Sequence, residues 1–293
     1  MVRDWSFALN ELFTIGKLLE AAIKKLKSTS ASPRLDAELL LARALKAERT
    51  CLYAHPESKV NSAQEKTFFA LLSRRISGYP MAYIMGEKEF WSMNLTVSPH
   101  TLIPRPETEV VVEQALLHIP LRATMEILDL GTGTGAIALA IAKERPFCRV
   151  IATDISSDAI AIAQINADKL AIPNIKFIAG DWVNPVANCQ FDLIVSNPPY
   201  IASGDPHLSE LIHEPKWALD AGQDGLGEIR KIVFGAPNVI KYGGHLILEH
   251  GACQADDIID LYRTSNWTNI TSIKDYAGLP RVIIATYNGS NTT

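Results

Sequence analysis

The sequence predicts an α/β protein built on a mostly parallel sheet, preceded by a small helical domain. Three observations carry this reading. From about residue 107 short apolar runs alternate with helical stretches, the pattern of successive βα units. A glycine-rich loop, Gly131-Thr132-Gly133-Thr134-Gly135, joins the first of those runs to the helix that follows it. The first 80 residues place apolar side chains at alternating three-and-four spacing, the period of a helix face.

In the helical region Leu12, Ile15, Leu19, Ala22 and Leu26 share one face. Ser32-Pro33 reads as an N-cap with proline at the first helical position, opening a helix through Leu35, Leu39 and Ala42 to Leu45. Ser62-x-x-Glu65 reads as a capping box for a third helix, through Phe68, Phe69, Leu72 and Ile76, that stops at Gly78. Residues 81 to 98 change character. Tyr83-Ile84-Met85 and Phe90 to Val97 flank the polar stretch Gly86-Glu87-Lys88-Glu89, which reads as a β-hairpin bridging two domains. Pro99, Pro104 and Pro106 mark a stiff linker. The expected domains are 1–80, the hairpin and linker 81–106, and the α/β domain 107–293.

In the α/β region Val110 to His118 reads as a helix, Ile127 to Leu130 as a strand and Ile137 to Lys143 as a helix. Val150 to Thr153 is a strand, Asp158 to Lys169 a helix, and Ile175 to Ile178 and Phe191 to Val195 are further strands. A helix near Glu228 to Ile240 leads to the strand His245 to Glu249, then a helix near Asp256 to Tyr262. The apolar stretches near Ile270 and at Val282 to Ala285 suggest a final edge pair.

Composition removes several classes of function. The chain is 47% hydrophobic with a formal net charge of −4, so it is globular and lacks a whole-chain drive toward nucleic acid. Cys51, Cys148, Cys189 and Cys253 are scattered with no Cys-x-x-Cys pair, which argues against zinc and disulfides and for a reducing compartment. No apolar run reaches membrane-spanning length and the N-terminus lacks a signal-peptide core. A soluble cytoplasmic protein is expected. No leftover apolar stripe suggests an interface, so a monomer is expected.

The glycine loop follows Asp129-Leu130. Glycines there permit a tight turn and close approach of a ligand to the backbone. Asp154 ends the next strand, 23 residues after Gly131. A carboxylate at that place accepts hydrogen bonds from ribose hydroxyls in either a dinucleotide or an S-adenosylmethionine (SAM) site, and Gly131-x-Gly133-x-x-Ala136 fits the relaxed dinucleotide fingerprint as well. Asp181-Trp182 follows the third strand, offering an acceptor for an adenine amino group and a ring to stack on it or close the pocket.

Asn197-Pro198-Pro199-Tyr200 follows the apolar run Phe191 to Ser196. Proline fixes φ and restricts the residue before it, so the tetrapeptide holds its groups in preset directions. The Asn197 amide oxygen and the Pro198 carbonyl offer two acceptors for a planar –NH2 group, and Tyr200 offers an aromatic face to its plane. A methyl donor in the glycine loop and an –NH2 clamp after the fourth strand explain each other. A nicotinamide cofactor leaves the clamp unexplained.

The chain resembles the HemK/PrmC family of protein-(glutamine-N5) methyltransferases. The resemblance runs over nearly the whole length and rests on Gly78-Tyr-Pro-Met-Ala-Tyr83-Ile-Met-Gly86 with Phe90-Trp91, Leu102-Ile-Pro-Arg105-Pro-Glu107-Thr-Glu109, Gly131 to Gly135, and Asn197 to Tyr200. It continues through Glu214-Pro215 before Ala218-Leu219, and through Asp275-Tyr276-Ala-Gly-Leu-Pro280-Arg281-Val282. It implies a class I SAM-dependent methyltransferase, Rossmann-like with a mostly parallel seven-stranded sheet, and an N-terminal helical domain that helps hold the substrate. That substrate is the glutamine of the Gly-Gly-Gln motif of class 1 peptide chain release factors. The resemblance assigns Asn197, Pro198, Pro199 and Tyr200 to catalysis and substrate binding, and Gly131 to Gly135, Asp154, Asp181, Trp182 and Asn197 to SAM.

Three other readings remain. An adenine or guanine amino-group methyltransferase uses the same clamp on a flipped base, but the acidic charge balance and the lack of a basic, aromatic-rich recognition region speak against direct nucleic-acid binding. A non-catalytic module that keeps SAM structurally and a nicotinamide oxidoreductase are the others. His207, His213, His245 and His250 are not nominated as bases, since a methylated amide nitrogen sheds its proton readily. Arg105 and Glu107 either line the cavity mouth or form linker salt bridges.

Overall fold

A computed structural model describes residues 13–289. Its contacts divide the chain into two compact units, one ending at Gly86 and one starting at Glu87. Leu12 lies outside the described residues, as does the end of the polar tail.

The first unit is helical: α1 (Ile15–Leu26), α2 (Pro33–Leu45), α3 (Arg49–Ala54), α4 (Ser62–Ile76) and α5 (Met81–Met85). Its core comes from the apolar faces of these helices, with Leu18, Leu26, Leu40, Leu41, Leu52, Phe68 and Leu72 buried. Three sequence readings are corrected here. The capping box of α4 uses Asn61 and Gln64, one residue before the Ser62/Glu65 pair; Asn61 Oδ1 accepts from Gln64 N at 3.0 Å and Gln64 Oε1 accepts from Asn61 N at 3.1 Å. Ser32 makes no cap hydrogen bond; its hydroxyl donates to Asp36 instead (3.3 Å), while Pro33 does start the helix. Tyr83 to Met85 is helix, not strand: α5 ends at Gly86, whose φ of 74° is the left-handed C-cap.

The second unit opens with a true hairpin, β1 (Glu87–Phe90) and β2 (Met93–Thr96), so the stretch 87–89 read as a turn is the first strand. Trp91 and Ser92, both at positive φ (50° and 52°), supply the two-residue turn without glycine. There follow α6 (Glu109–His118), β3 (Glu126–Leu130), α7 (Ala136–Glu144), β4 (Arg149–Asp154), α8 (Ser157–Leu170), β5 (Ile175–Ala179), β6 (Phe191–Ser196), α9 (His207–Glu210), α10 (Gly227–Gly235), β7 (Ile240–Glu249), α11 (Ala255–Arg263), β8 (Trp267–Lys274) and β9 (Pro280–Tyr287). The helix expected to run from Glu228 to Ile240 stops at Gly235, because Pro237 forces a short 3-10 turn and Ile240 already begins β7.

The sheet has seven strands in the order β5-β4-β3-β6-β7-β9-β8. The first five are parallel; β9 enters antiparallel between β7 and β8. Alternate strand residues feed two cores. Ile127, Val150, Ala152, Leu193, Val195 and Ile247 face α6, α7 and the hairpin. Leu128, Leu130, Ile194, Leu246 and Leu248 face α10 and α11. Burial on both faces is why these strands read as near-continuous apolar runs.

Strand order reverses between β3 and β6. Leu130 pairs with Thr153 on one side and Ser196 on the other, and Ser196 pairs with Leu248. The strand ends therefore lie level, and the loops after them open a crevice at the topological switch point. Among the described residues no helix is long and apolar enough to cross a membrane.

Candidate active site

The crevice holds a cavity of about 290 Å³. Gly131, Thr132, Gly133 and Thr134 line it from the β3 loop, Asp154 from the end of β4, Asp181 and Trp182 from the end of β5, and Asn197 and Pro199 from the end of β6. Gly135, Pro198 and Tyr200, also singled out in the sequence, are not among its lining residues.

The glycine loop is shaped by its backbone. Gly131 sits at φ 72°, and a Cβ there would stand 3.2 Å from the Trp182 ring. Gly135 at φ 82° is the N-cap of α7, where a Cβ would stand 3.0 Å from Leu139. The loop is braced from beneath: Gly133 N donates to Asp154 Oδ2 at 2.8 Å, and Thr132 Oγ1 donates to Asp129 Oδ2 at 2.6 Å. Trp182 Nε1 donates to Glu228 Oε2 at 2.9 Å, which fixes the indole beside Gly131.

The acids below the loop are strained electrostatically. Burial pushes the Asp129 carboxyl up to about 7, with the Asp154 charge adding to it and the Thr132 hydroxyl opposing. Asp129 Oδ1 has no partner among the described residues. Burial also raises Asp154, against backbone hydrogen bonds from Ser156 and Gly133.

On the β6 side, Asn197 Nδ2 donates to Thr108 Oγ1 at 3.0 Å, and Asn197 Oδ1 is buried without a partner among the described residues. Tyr200 does not itself line the cavity. Its hydroxyl donates to Glu249 Oε1 at 3.2 Å and its carbonyl accepts from Gln254 Nε2 at 2.9 Å. Burial raises the Tyr200 pKa, and the adjacent Glu249 raises it further, so the phenol stays protonated. Burial likewise carries Glu249 up to about 7, while Thr108, Arg281 and Tyr200 pull the other way.

Sequence reasoning missed Thr108, Glu249 and Trp217. Thr108 sits in the proline linker, on the turn that leads into α6. Glu249 is the last residue of β7, and a carboxylate closing an apolar strand was the available signal. Trp217, 55% exposed, lines the cavity from the loop after β6. Arg105 does both things expected of it: it lines the cavity and pairs with the buried Glu214 carboxylate, which also accepts from Ile103 N at 3.0 Å. Glu107 is exposed and does not line the cavity.

None of His207, His213, His245 and His250 lines the cavity. His250 is held by Gly251 O (2.8 Å), and burial lowers its pKa. Among the described residues no cluster of His, Cys, Asp and Glu forms a metal site.

The groups around the crevice fit SAM. The cavity presents a backbone cradle at the head of α7, acceptors for hydroxyl and amino groups at Asp154 and Asp181, and an indole wall. Those are the features that a nucleoside with a charged amino-acid tail requires.

Solved structures of low sequence identity share this fold. A methyltransferase from Pyrococcus furiosus aligns with a TM-score of 0.53 at 19% identity, covering 74% of this chain and 98% of that one. The 16S rRNA N2 G1207 methyltransferase of T. thermophilus aligns at 0.51 with 18% identity, covering 69% of this chain and 50% of the other. The family described as PrmC N-terminal domain matches residues 17–86, and the methyltransferase small domain matches residues 110–233. A release factor glutamine methyltransferase of Coxiella burnetii is 48% identical over 262 residues, 89% of this chain and 95% of that protein. Its Escherichia coli counterpart is 45% identical over 271 residues, covering 92% and 97%. With relatives this similar along almost their whole length, and a helical unit matched by its own family model, the chain belongs to the release factor glutamine methyltransferase family.

Proposed function

We propose that the enzyme transfers a methyl group from SAM to the side-chain amide nitrogen (N5) of the glutamine in the Gly-Gly-Gln motif of class 1 release factors, modulating translation termination. One observation carries the reading: a buried amide oxygen, Asn197 Oδ1, stands without a partner beside the glycine-loop cavity. A buried acceptor left unpaired costs about 1–3 kcal/mol. A substrate –NH2 group relieves that cost on binding.

When bound, SAM supplies an electrophilic methyl on a sulfonium. The chain's residues do the rest. Gly131 to Thr134, Asp154, Asp181 and Trp182 hold the donor. A glutamine amide nitrogen is a poor nucleophile because its lone pair is delocalised into the carbonyl. Asn197 Oδ1 and the Pro198 carbonyl accept its two protons, which favours a more pyramidal nitrogen aimed at the methyl. Pro199 stiffens the loop. Tyr200, fixed through its hydroxyl, packs against the amide plane. Methyl transfer to this nitrogen would break the donor's methyl–sulfur bond and leave a neutral thioether, and the nitrogen would shed one proton to water. Positioning of this kind supplies roughly 7–11 kcal/mol in favourable cases. The enzyme acts as a cytoplasmic monomer, where its release factor substrate is found.

The second reading, a base amino group in the clamp, is disfavoured by charge. From Glu87 onward the chain carries fifteen Lys and Arg against twenty-four Asp and Glu, a surface that repels phosphate. Methyl transfer from labelled SAM to a purified release factor decides between them, with a Gln→Asn change in its Gly-Gly-Gln motif as control. Label in the unmodified factor alone supports the proposal. Label in nucleic acid and none in the factor overturns it.

A further inference from the structure

An asparagine amide fits its pocket almost equally well in two orientations, which differ by exchange of oxygen and nitrogen. Only one suits the reading above, on which this inference rests. With Oδ1 inward the side chain accepts from a substrate –NH2. With Nδ2 inward, donor meets donor and the substrate is repelled. The clamp therefore needs something that senses which end is which.

The partner of the Asn197 side-chain nitrogen is Thr108 Oγ1, at 3.0 Å; Thr108 lines the cavity beside it. A hydroxyl does not discriminate by itself, because it donates as readily as it accepts. What lies behind it settles the matter. Thr108 is buried (4% exposed), and so is Glu249 (1%). A carboxylate is an acceptor only. Glu249 Oε1 already accepts from Tyr200, Oε2 is buried with no other partner among the described residues, and the Thr108 hydroxyl acts on the same carboxylate.

The register explains why Glu249 can serve this end. Ser196 pairs with Leu248, so the next residues, Asn197 and Glu249, stand side by side at the carboxyl ends of β6 and β7. On the other flank Glu249 pairs with Val282, bringing Arg281 close. Arg281 is held by Asp275 (3.2 Å) and by the carbonyl of His250 (3.3 Å), and its charge offsets part of the cost of burying the carboxylate.

We propose that Glu249 is the positioning residue that sets the polarity of the –NH2 clamp. The Thr108 hydroxyl gives its one proton to Glu249 Oε2, so it must accept from Asn197 Nδ2, and Asn197 Oδ1 is left facing the substrate. The same carboxylate holds the Tyr200 hydroxyl. Both halves of the clamp, the amide end and the aromatic end, are thus tied to one acid at the end of β7.

The test uses the full chain with Thr108→Val, Thr108→Ser, Glu249→Gln and the Thr108→Val/Glu249→Gln double variant. For each, kcat and KM for the release factor, the Kd for SAM by calorimetry, and the thermal midpoint are measured. Thr108→Val keeps the shape and removes the hydroxyl. Its kcat is expected to fall about 10–100-fold, with SAM Kd within about twofold of wild type. Thr108→Ser is expected to restore kcat to within about threefold. The double variant is expected to be no worse than the poorer single one, because both changes cut the same relay. Wild-type kcat in Thr108→Val, or losses that multiply in the double variant, overturn the proposal. So does a Thr108→Ser variant as impaired as Thr108→Val.

Wild-type turnover on the release factor separately tests the reading beneath it. A measurement that needs no turnover keeps the two apart. The Asn197 side-chain NH2 protons, followed by NMR, are expected to be protected from exchange in wild type and in Thr108→Ser and to lose that protection in Thr108→Val. Equal exchange in all three sinks the relay whatever the substrate.

Discussion

In the helical unit Glu38 is 2% exposed, and its carboxylate takes hydrogen bonds from Arg34 (2.9 Å), Arg49 (2.7 Å) and Tyr53. In the catalytic unit Glu249 is buried just as deeply, at 1%, but only the uncharged hydroxyls of Tyr200 and Thr108 act on its carboxylate by hydrogen bonding. Burial opposes ionisation at both. At Glu38 the Tyr53, Arg49 and Arg34 hydrogen bonds overcome it, and the pKa falls below the ordinary value. At Glu249 burial wins and the pKa rises to about 7. Asp129 and Asn197 side with Glu249, each with a buried oxygen lacking a partner among the described residues. Polar groups satisfied inside the fold hold the fold; polar groups left unsatisfied at a crevice are available to a ligand.

The sharpest way to press this contrast is Asn197→Ala, which removes the open acceptor itself. Its kcat is expected to fall about 10³-fold, the scale of losing a preorganised hydrogen-bonding group at a reacting centre, while calorimetry finds SAM affinity within threefold. An equal loss of SAM binding would place Asn197 with the donor and not the acceptor.

Next comes Gly131→Ala against Gly86→Ala, two left-handed positions at φ 72° and 74°. The Cβ at Gly86 meets nothing within 4 Å, so only backbone strain remains, about 1–2 kcal/mol of stability. At Gly131 the Cβ also presses on Trp182, so SAM Kd is expected to weaken about tenfold in addition. Calorimetry and thermal melts of both variants show whether the penalty divides that way.

A third comparison has opposite signs. Glu38→Gln is expected to lower stability by about 1–2 kcal/mol, because it breaks charge-assisted hydrogen bonds to two arginines. Glu249→Gln at pH 8 is expected to leave the thermal midpoint unchanged or raise it, because it removes a poorly paired buried charge. Parallel losses at the two sites would dissolve the distinction between them.

The smallest effect is in pH. Folded-state pKa values raised to about 7 at Asp129 and Glu249 mean that the folded catalytic unit holds protons the unfolded chain has released. Stability from these groups is complete below about pH 4 and is lost as pH rises through 7. The midpoint is expected to drop from pH 5 to pH 8, and Glu249→Gln to flatten that slope. The charged and titratable groups acting on Glu249 are Arg281, Tyr200 and Glu107, and none of them is removed by that substitution. Glu38 works the other way, its stability lost as pH falls through its lowered pKa.

Much of the catalytic unit was legible because each strand is an apolar run followed by a turn. Ile127, Val150, Ile175, Phe191 and His245 all fall inside observed strands. Tyr83 to Met85 misled because a three-residue apolar run carries no period, and the left-handed Gly86 after it decides for helix. The Ser62 cap was off by one residue because Asn61-x-x-Gln64 offers the same box one step earlier. The glycine loop and the Asn197 tetrapeptide could be read because each is contiguous. Thr108 and Glu249 could not. They meet Asn197 and Tyr200 across 89 and 49 residues of chain, and only the strand register brings them together.

Ser196 Oγ donates to Leu130 O at 2.6 Å, stapling β6 to β3 at the point where their loops part. On the proposed reading, the gap between the donor side and the acceptor side spans a short path through these two paired strand ends. A single molecule that joins an adenosine group to a glutamine-like amide therefore faces a fixed aperture. Its affinity is expected to depend sharply on tether length: the matching tether adds the two halves with little ordering cost, and a tether one methylene longer or shorter forfeits one of them.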